Sequence, residues 1–292
     1  MKNQTFGIEI ETSGITRERA AQLIAEYFGT TSRFDGGYYD VYSAKDNKGR
    51  TWKCMYDSSI VAISNNQKCE VVSPILTYDD MADLQEIVRI LRRNGAKSSA
   101  QKDCGIHVHI GLGNHTIKTL KNLVNYMSSY QDVIYKALKI DGYRAERWCK
   151  KLEPMLIDNF NKRGLDTFEK GETAWYGEGR ENGKYQHYNN TRYHGLNLHS
   201  VFSKGTIEFR LFNGTLHAGE IRSYITFCLA MSNFCLNARS IRRSRKNQFN
   251  DKYTMYEMLC RIGIKGEEFK VVRDHLTKHL TGSLTHEGRY IG

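Results

Sequence analysis

The chain lacks any stretch that approaches the roughly 20 apolar residues of a membrane-spanning helix. The longest candidate, Ile225–Leu236, is short and is interrupted by Ser232 and Asn233. The N-terminus enters a strand-like pattern by Phe6, which leaves no room for a signal peptide. We therefore expect a protein with neither a membrane span nor a secretory leader.

A disulfide framework is also missing from the sequence. The seven cysteines are odd in number and form no closely spaced pairs. Four of them lie beside apolar residues, as reduced core cysteines do: Cys69, Cys104, Cys228 and Cys260. This usage predicts a cytoplasmic protein.

Several catalytic motifs have no counterpart in this chain. There is no Gly-X-X-X-X-Gly-Lys-Ser/Thr segment, so an ATP site would not be of the P-loop type, and there is no Gly-X-Ser-X-Gly segment. Repeats with a period of about 20–50 residues are absent, which excludes a solenoid.

The balance of charge is strongly basic. The 292 residues include 43 Lys and Arg against 32 Asp and Glu, for a net charge of +11. Such an excess suggests a polyanionic partner, such as nucleic acid, a nucleotide or an acidic polymer. Five cations form a cluster that is either a solvated helix end or a docking patch for an acidic partner or nucleic acid: Arg239, Arg242, Arg243, Arg245 and Lys246. Aromatic residues are not interleaved there, as a single-strand-binding platform would require.

Helical and strand-like patterns alternate along the chain. They predict helices from Thr16 to about Phe28 with a stop at Gly29, at 79–94, from Thr116 to about 138, at 144–151 and at 154–162. They predict strands at 38–44, 51–55 and 193–199, and a hairpin of strands 60–63 and 69–72 that turns at 65–66. Because strands are joined partly by hairpins and partly by helices, we expect an α+β fold with a mixed or antiparallel sheet. The chain after Gly219 is expected to be mostly helical.

Four short segments alternate apolar with polar residues, as strands with one buried face do. They are Phe6–Glu11, Cys69–Val72, Cys104–Ile110 and Thr206–Leu211. Their second face carries groups that coordinate hard cations or bind phosphate and carboxylate, with no Lys among them. These groups are Glu9, Glu11, Glu70, His107, His109, Glu208 and Arg210. If the strands lie side by side, one face of the sheet becomes a metal and anion site.

The acidic and imidazole residues predict a divalent metal site. Glu9 and Glu11 point to one face, about 7 Å apart along the strand, where uncompensated charges would repel each other. A bound cation or a salt-bridged edge would remove that cost, and we favour the cation because the alternate residues are firmly apolar. His107 and His109 have the same spacing, and mixed carboxylate and imidazole ligands suit Mg²⁺ or Mn²⁺ better than a structural Zn²⁺.

Arginine beside a carboxylate predicts an anionic ligand. A phosphate that bridges a metal ion and a guanidinium would satisfy both Glu208 and Arg210, while a plain surface ion pair is an equal alternative. Arg192 and Asn197 are further candidates for binding phosphate or carboxylate. Asp57 is either another acidic site residue or a turn former.

Taken in order, these segments resemble the putative amidoligase family, within the glutamine synthetase-like group of carboxylate–amine ligases. The matching stretches are Gly7–Glu11, Asp57–Ile60, Glu70–Pro74, Gly105–His109, Arg192–Asn197 and Ile207–Arg210. The resemblance implies a curved, mainly antiparallel sheet with helices on its convex face and an ATP and metal site in the concavity. We accordingly assign residues 1–218 to a catalytic domain and 219–292 to a mostly helical C-terminal region.

The resemblance also implies roles for individual residues. By position, two or more Mg²⁺ or Mn²⁺ ions would be bound by Glu9, Glu11, Glu70, His107 and Glu208, with Asp57 as a candidate for a further acidic ligand. Arg192 and Arg210 match arginines that hold phosphate and the acyl substrate. The nucleotide-binding residues expected on this basis are His109, Arg192, Asn197 and Arg210.

The leading hypothesis is an ATP- and metal-dependent ligase that joins a carboxylate to an amine through an acyl phosphate. Arg192 and Arg210 would stabilise charge on the transferring phosphoryl group. The segment Tyr176–Arg192, rich in Gly, Asn and Tyr, is predicted to be a long mobile loop that closes to exclude water. A small molecule, a peptide or a protein terminus would each fit as the carboxylate or the amine substrate.

Two alternative functions use the same residues. The first is a metal-dependent hydrolase or nuclease, which the net charge and the Arg239 cluster favour. The second is a non-catalytic binding protein that retains the fold and lacks affinity for Mg²⁺·ATP. Nucleic acid is therefore a less favoured partner, a membrane is not expected as one, and no oligomeric interface is evident in the sequence.

Overall fold

A computed structural model describes residues 1–180, 182–244, 250–286 and 289–290. The chain forms two compact units. The N-terminal unit comprises Lys2–His109 and Phe212–Ile225, and the C-terminal unit comprises Met1, Ile110–Leu211 and the residues from Thr226 onward. The functional division at residue 218 remains a prediction.

The N-terminal unit is built on an antiparallel sheet. Its strands are β1 (Phe6–Thr12), β2 (Ser32–Gly36), β3 (Val41–Lys45), β4 (Thr51–Met55), β5 (Cys69–Val72) and β6 (Gly105–Gly111), the last two residues of which belong to the C-terminal unit. Their order is β2-β3-β4-β5-β1-β6, with antiparallel pairing from β2 to β1. Because β1 lies between β5 and β6, three of the predicted site segments are neighbouring strands.

Alternation along the strands and capping of the helices explain how this unit forms. Ile8 and Ile10 of β1 and Ile106 of β6 are fully buried, and apolar burial contributes about 25 cal/mol per Å². The unit also contains the helices α1 (Arg17–Phe28) and α2 (Met81–Arg93), and α1 packs on α2 and on β2 to β5. As predicted, α1 starts after Thr16, which accepts the N–H of Arg19, and ends at Gly29 with φ of 66°.

The C-terminal unit is mainly helical. Its elements are α3 (Ile117–Ala137), α4 (Gly142–Arg147), α5 (Pro154–Asn161), α6 (Phe168–Tyr176), β7 (Leu196–Asn197), α7 (His199–Lys204), β8 (Thr206–Asn213), α8 (Ala218–Asn237), α9 (Asp251–Arg261), α10 (Lys270–Thr277) and the short strands β9 (Thr285–His286) and β10 (Arg289–Tyr290). The end of β8 and the start of α8 belong to the N-terminal unit. Helix α3 packs against α5 and α9, and β7 pairs antiparallel with β8.

Helices mixed with antiparallel strands confirm the predicted α+β class. The glutamine synthetase-like arrangement, with a curved sheet and helices on its convex face, stays a prediction. None of the helices in the described ranges has the length and sustained hydrophobicity that a membrane crossing requires. All seven cysteines are free thiols; Cys260 is half-buried and the other six are buried.

The predicted hairpin at 60–72 is wrong in its first strand. Residues 60–63 form bends and irregular backbone, and Asn65–Gln67 form a 3-10 turn before β5. The cause is a tertiary contact, since the N–H of Val61 donates to the carbonyl of Lys102 at 2.9 Å while Ile60 is fully buried. The segment is thus held by the residues before β6 and not by β5.

Other differences lie at turns. The strand predicted at 38–44 begins only at Val41, because Gly36, Gly37 and Asp40 adopt positive φ in a preceding turn. The strand predicted at 193–199 is reduced to β7, followed directly by α7. The polar strand β2 and the helices α6 and α7 were not predicted.

Two predicted segments include residues outside the described ranges. Within its described residues, Tyr176–Arg192 contains two 3-10 turns, Gly183–Tyr185 and Asn190–Arg192, and its mobility stays a prediction. In the basic cluster, Arg239, Arg242 and Arg243 are exposed, while positions 245 and 246 lie outside the described ranges.

The buried His115 before α3 makes stability depend on pH. Its Nδ1 contacts Thr119 Oγ1 at 3.0 Å and its Nε2 contacts Ser232 Oγ at 2.9 Å. Burial lowers the pKa of His115 from 6.5 to about 4. Below pH 6.5 the unfolded chain therefore binds a proton that the folded protein does not, so the stability present above pH 6.5 is lost as the pH falls towards 4.

We expect His115→Gln to reduce this pH dependence. Between pH 7 and pH 4.5, the wild type should lose about 2–3 kcal/mol more of its free energy of unfolding than the variant, at about 1.4 kcal/mol for each unit of pKa shift. Urea unfolding of both proteins at the two pH values measures the difference. Equal losses in the two proteins would show that His115 titrates normally in the fold.

Candidate functional site

The register of β1 against β5 places two carboxylates opposite each other. Glu11 pairs with Glu70, and Glu9 pairs with Val72. Side chains of directly paired residues in an antiparallel sheet point to the same face, and like charges at such positions are destabilising. Positive charge near the Glu11–Glu70 pair is therefore stabilising.

Strand β6 brings two imidazoles to the same carboxylates. His107 Nδ1 lies 2.9 Å from Glu9 Oε2, and His109 Nε2 lies 3.2 Å from Glu9 Oε1. His107 Nε2 also lies 3.6 Å from Glu11 Oε1, while the other oxygen of Glu11 accepts the N–H of Gly105. Five predicted site residues of the N-terminal unit are thus gathered on one face, which we call the Glu/His face: Glu9, Glu11, Glu70, His107 and His109.

Part of the Glu/His face has the geometry of a metal-binding group. Glu11, Glu70 and His107 each offer one ligand atom, and these atoms all lie within 4.8 Å of one another. Glu11 and His107 are almost fully buried, so water competes little for them. Carboxylate oxygens with one imidazole nitrogen form a donor set that fits Mg²⁺ or Mn²⁺.

The electrostatics of the face keep Glu9 ionised. Burial raises the pKa of Glu9, but the nearby charges of His109 and His107 and their hydrogen bonds hold it well below its usual value. Glu9 is therefore a carboxylate at neutral pH, as a metal ligand must be.

Asp57 has a local role in the structure. Its Oδ1 accepts hydrogen bonds from the backbone N–H and the hydroxyl of Ser59, both at 2.7 Å. This is the geometry of the turn former that the sequence allowed. Among the described residues, no group of closely placed ligand atoms includes Asp57.

In the C-terminal unit, strands β7 and β8 build a polar cluster. Asn197 pairs with Glu208 and donates to its Oε2 at 2.7 Å, while Arg210 Nη1 donates to Glu208 Oε1 at 2.7 Å. Asn197 is fixed in turn because its Oδ1 accepts the N–H of His199. Glu208 and Arg210 are only 3% and 6% exposed, so they form a buried pair and not the plain surface pair that was the alternative.

A cationic cavity of about 180 Å³ adjoins this cluster in the C-terminal unit, and we call it the Arg192 cavity. Arg192 and Asn197, two of the predicted anion-binding residues, line it together with Glu208 and the cations Lys184 and Lys204. Arg192 Nη1 donates to the carbonyl of His187 at 2.7 Å, and no described carboxylate pairs with it. Three cations around one cavity favour an anionic ligand.

His199 is a wall residue of the Arg192 cavity that the sequence did not single out. Its Nδ1 lies 2.6 Å from Tyr176 Oη. Burial, and then the charge of Arg192, lower the pKa of His199 to about 4, so the imidazole is neutral at pH 7. The only signal for it was its place in the alternating run that includes Asn197. Lys184 and Lys204 had no local signal, because isolated lysines are common on any surface.

Comparison with known proteins identifies a family for this chain. A family model described as "putative amidoligase enzyme" matches residues 2–232. The matched range contains the Glu/His face, the Glu208 and Arg210 pair and the Arg192 cavity. No curated protein matches the chain. Since the family model covers most of its length, the chain belongs to the putative amidoligase family.

Proposed function

We propose that the protein is a ligase that forms an amide or peptide bond between a carboxylate and an amine, using ATP and a divalent metal ion and proceeding through an acyl phosphate. Family membership supports ligase chemistry at a coarse level. The observation that carries the metal dependence is the opposition of Glu11 and Glu70 beside His107, with ligand atoms within 4.8 Å. A hard divalent cation removes the repulsion of such a pair.

The Glu/His face supplies the metal ligands in this proposal. Glu9, Glu11, Glu70 and His107 hold Mg²⁺ or Mn²⁺, which when bound neutralises phosphate charge and polarises a phosphoryl oxygen. His109 positions Glu9 through the 3.2 Å contact between its Nε2 and Glu9 Oε1. The assignment of Glu208 as a further ligand comes from the family resemblance.

The cations of the C-terminal unit stabilise the negative charge that the reaction moves. Arg210, held by Glu208, and Arg192 contact the transferring phosphoryl group and the acyl substrate. The γ-phosphoryl passes to a carboxylate oxygen and ADP leaves, after which the amine attacks the carbonyl carbon and phosphate leaves. Water would hydrolyse the acyl phosphate, and the proposed role of Tyr176–Arg192 is to exclude it.

Hydroxylamine trapping tests the proposed chemistry. With Mg²⁺, ATP, hydroxylamine and a panel of carboxylates, a ligase forms ADP and a hydroxamate in equal amounts, because hydroxylamine replaces the natural amine. Nucleotide-independent cleavage of a phosphodiester would instead support the hydrolase or nuclease alternative.

Glu9→Gln should lower the rate of ADP and hydroxamate formation at least about 100-fold, since it removes a ligand charge and nearly preserves side-chain volume. The matched control is Glu18→Gln, an exposed glutamate of the same unit on α1. Circular dichroism would confirm that both variants are folded. Full activity of Glu9→Gln would contradict the proposal.

A further inference from the structure

The residues of the C-terminal unit carry all of the net positive charge of the chain. The N-terminal unit contains 15 Lys and Arg residues and 15 Asp and Glu residues, so its net charge is zero. The C-terminal unit contains 28 Lys and Arg residues and 17 Asp and Glu residues, so its net charge is +11. A net charge confined to one unit points to a polyanionic ligand that binds there.

Three cavities of the C-terminal unit adjoin one another, because they share lining residues. The outermost, of about 470 Å³, lies between the end of α5 and α6 and shares Thr173 and Gly177 with a middle cavity of about 230 Å³. The middle cavity shares Lys184 with the Arg192 cavity. We call these three adjoining cavities the cation groove, and one end of it is the Arg192 cavity, whose Arg192 the ligase proposal assigns to the phosphoryl group and the acyl substrate.

Each part of the cation groove carries a positive charge that no described carboxylate neutralises. The outer cavity has Lys162 and Arg163, the middle cavity has Arg180, and the Arg192 cavity has Arg192 and Lys204. Arg192 donates to a backbone carbonyl, and the side chains of the other four form no hydrogen bond or ion pair with the described residues.

The acidic residues of the cation groove are fewer and partly neutralised. Glu172 pairs with Lys184 at 3.1 Å, and Glu208 pairs with Arg210 at 2.7 Å. Among the described lining residues, this leaves Glu169 and Glu178 against five uncompensated cations. Arginine and lysine spread along a groove suit carboxylates that repeat along an extended chain, where alternate side chains are about 7 Å apart.

The lining favours a peptide over a nucleic acid. Single-stranded nucleic acids bind to grooves in which aromatic side chains stack on the bases. Among the described lining residues, aromatic side chains are confined to the Arg192 cavity, at Tyr185, His187 and His199. The outer and middle cavities have none, and they include Glu169, Glu172 and Glu178, which would repel phosphates. A peptide can avoid these glutamates, because its backbone amides donate hydrogen bonds and its carboxylates are spaced by its sequence.

We infer that the cation groove binds an extended acidic peptide, and that the carboxylate substrate of the ligase is a glutamate- or aspartate-rich peptide whose reacting carboxylate lies in the Arg192 cavity. The assignment of the peptide as substrate rests on the proposed function. The binding step does not, because it requires neither ATP nor metal.

Fluorescence anisotropy with labelled hexaglutamate tests the binding step on the full chain, without ATP or metal. The variant Lys162→Ala/Arg163→Ala/Arg180→Ala should raise the dissociation constant at least tenfold. The matched control Arg239→Ala/Arg242→Ala/Arg243→Ala removes the same charge from exposed positions outside the groove and should change it less than twofold. Hexaglutamine should bind at least tenfold more weakly than hexaglutamate.

Equal weakening by the two triple variants would overturn the inference, because it would reveal only general attraction to net charge. Tighter binding of a single-stranded 12-nucleotide DNA than of hexaglutamate, sensitive to the groove variant, would overturn it in favour of nucleic acid. If hexaglutamate binds in the groove but no carboxylate yields ADP and hydroxamate, the ligase proposal fails and the peptide site stands. If other carboxylates are ligated and hexaglutamate does not bind, the ligase proposal stands and the peptide site is overturned.

Discussion

Replacing Glu70 with glutamine is expected to abolish metal-dependent ATP turnover while leaving the metal-free protein as stable as the wild type or slightly more stable. Glu70 lies directly opposite Glu11 on neighbouring strands, so the substitution removes one of two facing negative charges. Relief of a like-charge cross-strand pair contributes up to about 1 kcal/mol. In the proposed reaction the same charge holds the metal ion, so turnover should fall at least about 100-fold.

Two measurements separate these effects. Urea unfolding without metal should give a free energy of unfolding for Glu70→Gln that is equal to that of the wild type or higher. With Mn²⁺ at 100 times its dissociation constant, the wild type should gain about 2.7 kcal/mol by linkage, and Glu70→Gln should gain almost nothing. Glu18→Gln should behave as the wild type in both tests. A Glu70→Gln protein that retains the full Mn²⁺ effect would rule out Glu70 as a ligand.

The second large effect is expected for Arg210→Met. Glu208 and Arg210 are almost fully buried and joined by a 2.7 Å hydrogen bond, so removing the guanidinium leaves a buried carboxylate without its cation. Breaking such a pair costs about 3–5 kcal/mol of stability. If Arg210 also contacts the transferring phosphoryl group, ADP formation should fall by about 10³-fold or more.

The double variant Glu208→Gln/Arg210→Met tests whether the stability loss comes from the uncompensated charge of the buried Glu208. If it does, the double variant should be more stable than Arg210→Met alone. Arg210→Lys keeps the positive charge and loses the forked donor geometry, so it should retain most of the stability and lose most of the turnover. Wild-type turnover in Arg210→Lys, with normal folding by circular dichroism, would remove Arg210 from the proposed mechanism.

Local chemistry explains which parts of the fold could be predicted from the sequence. The N-terminal cap at Thr16 and the glycine stop at Gly29 act within a few residues, so the bounds of α1 followed from them. The alternation in β1 likewise reports a buried face whatever its neighbours are. Residues 60–63 have an equally apolar sequence, but a hydrogen bond from Val61 to Lys102, about forty positions away, decides their conformation.

The same distinction between local sequence signals and contacts between distant residues applies to the candidate site. The pairs Glu9 with Glu11 and His107 with His109 were identified because a spacing of two places side chains on one face of a strand. His199, Lys184 and Lys204 were missed, because their importance comes only from the cavity that they line. The burial of the Glu208 and Arg210 pair could not be predicted from the sequence either, so a surface pair remained an equal alternative.

By itself, the sequence determined the α+β class, the residue types of the Glu/His face and the net charge of +11, because alternation, capping and composition are properties of neighbouring residues. Only the tertiary structure decided that Glu11 lies opposite Glu70 and that cations of the C-terminal unit line three adjoining cavities. The physical reason is that strand register and cavity walls depend on contacts between residues far apart in the chain, which no local pattern encodes.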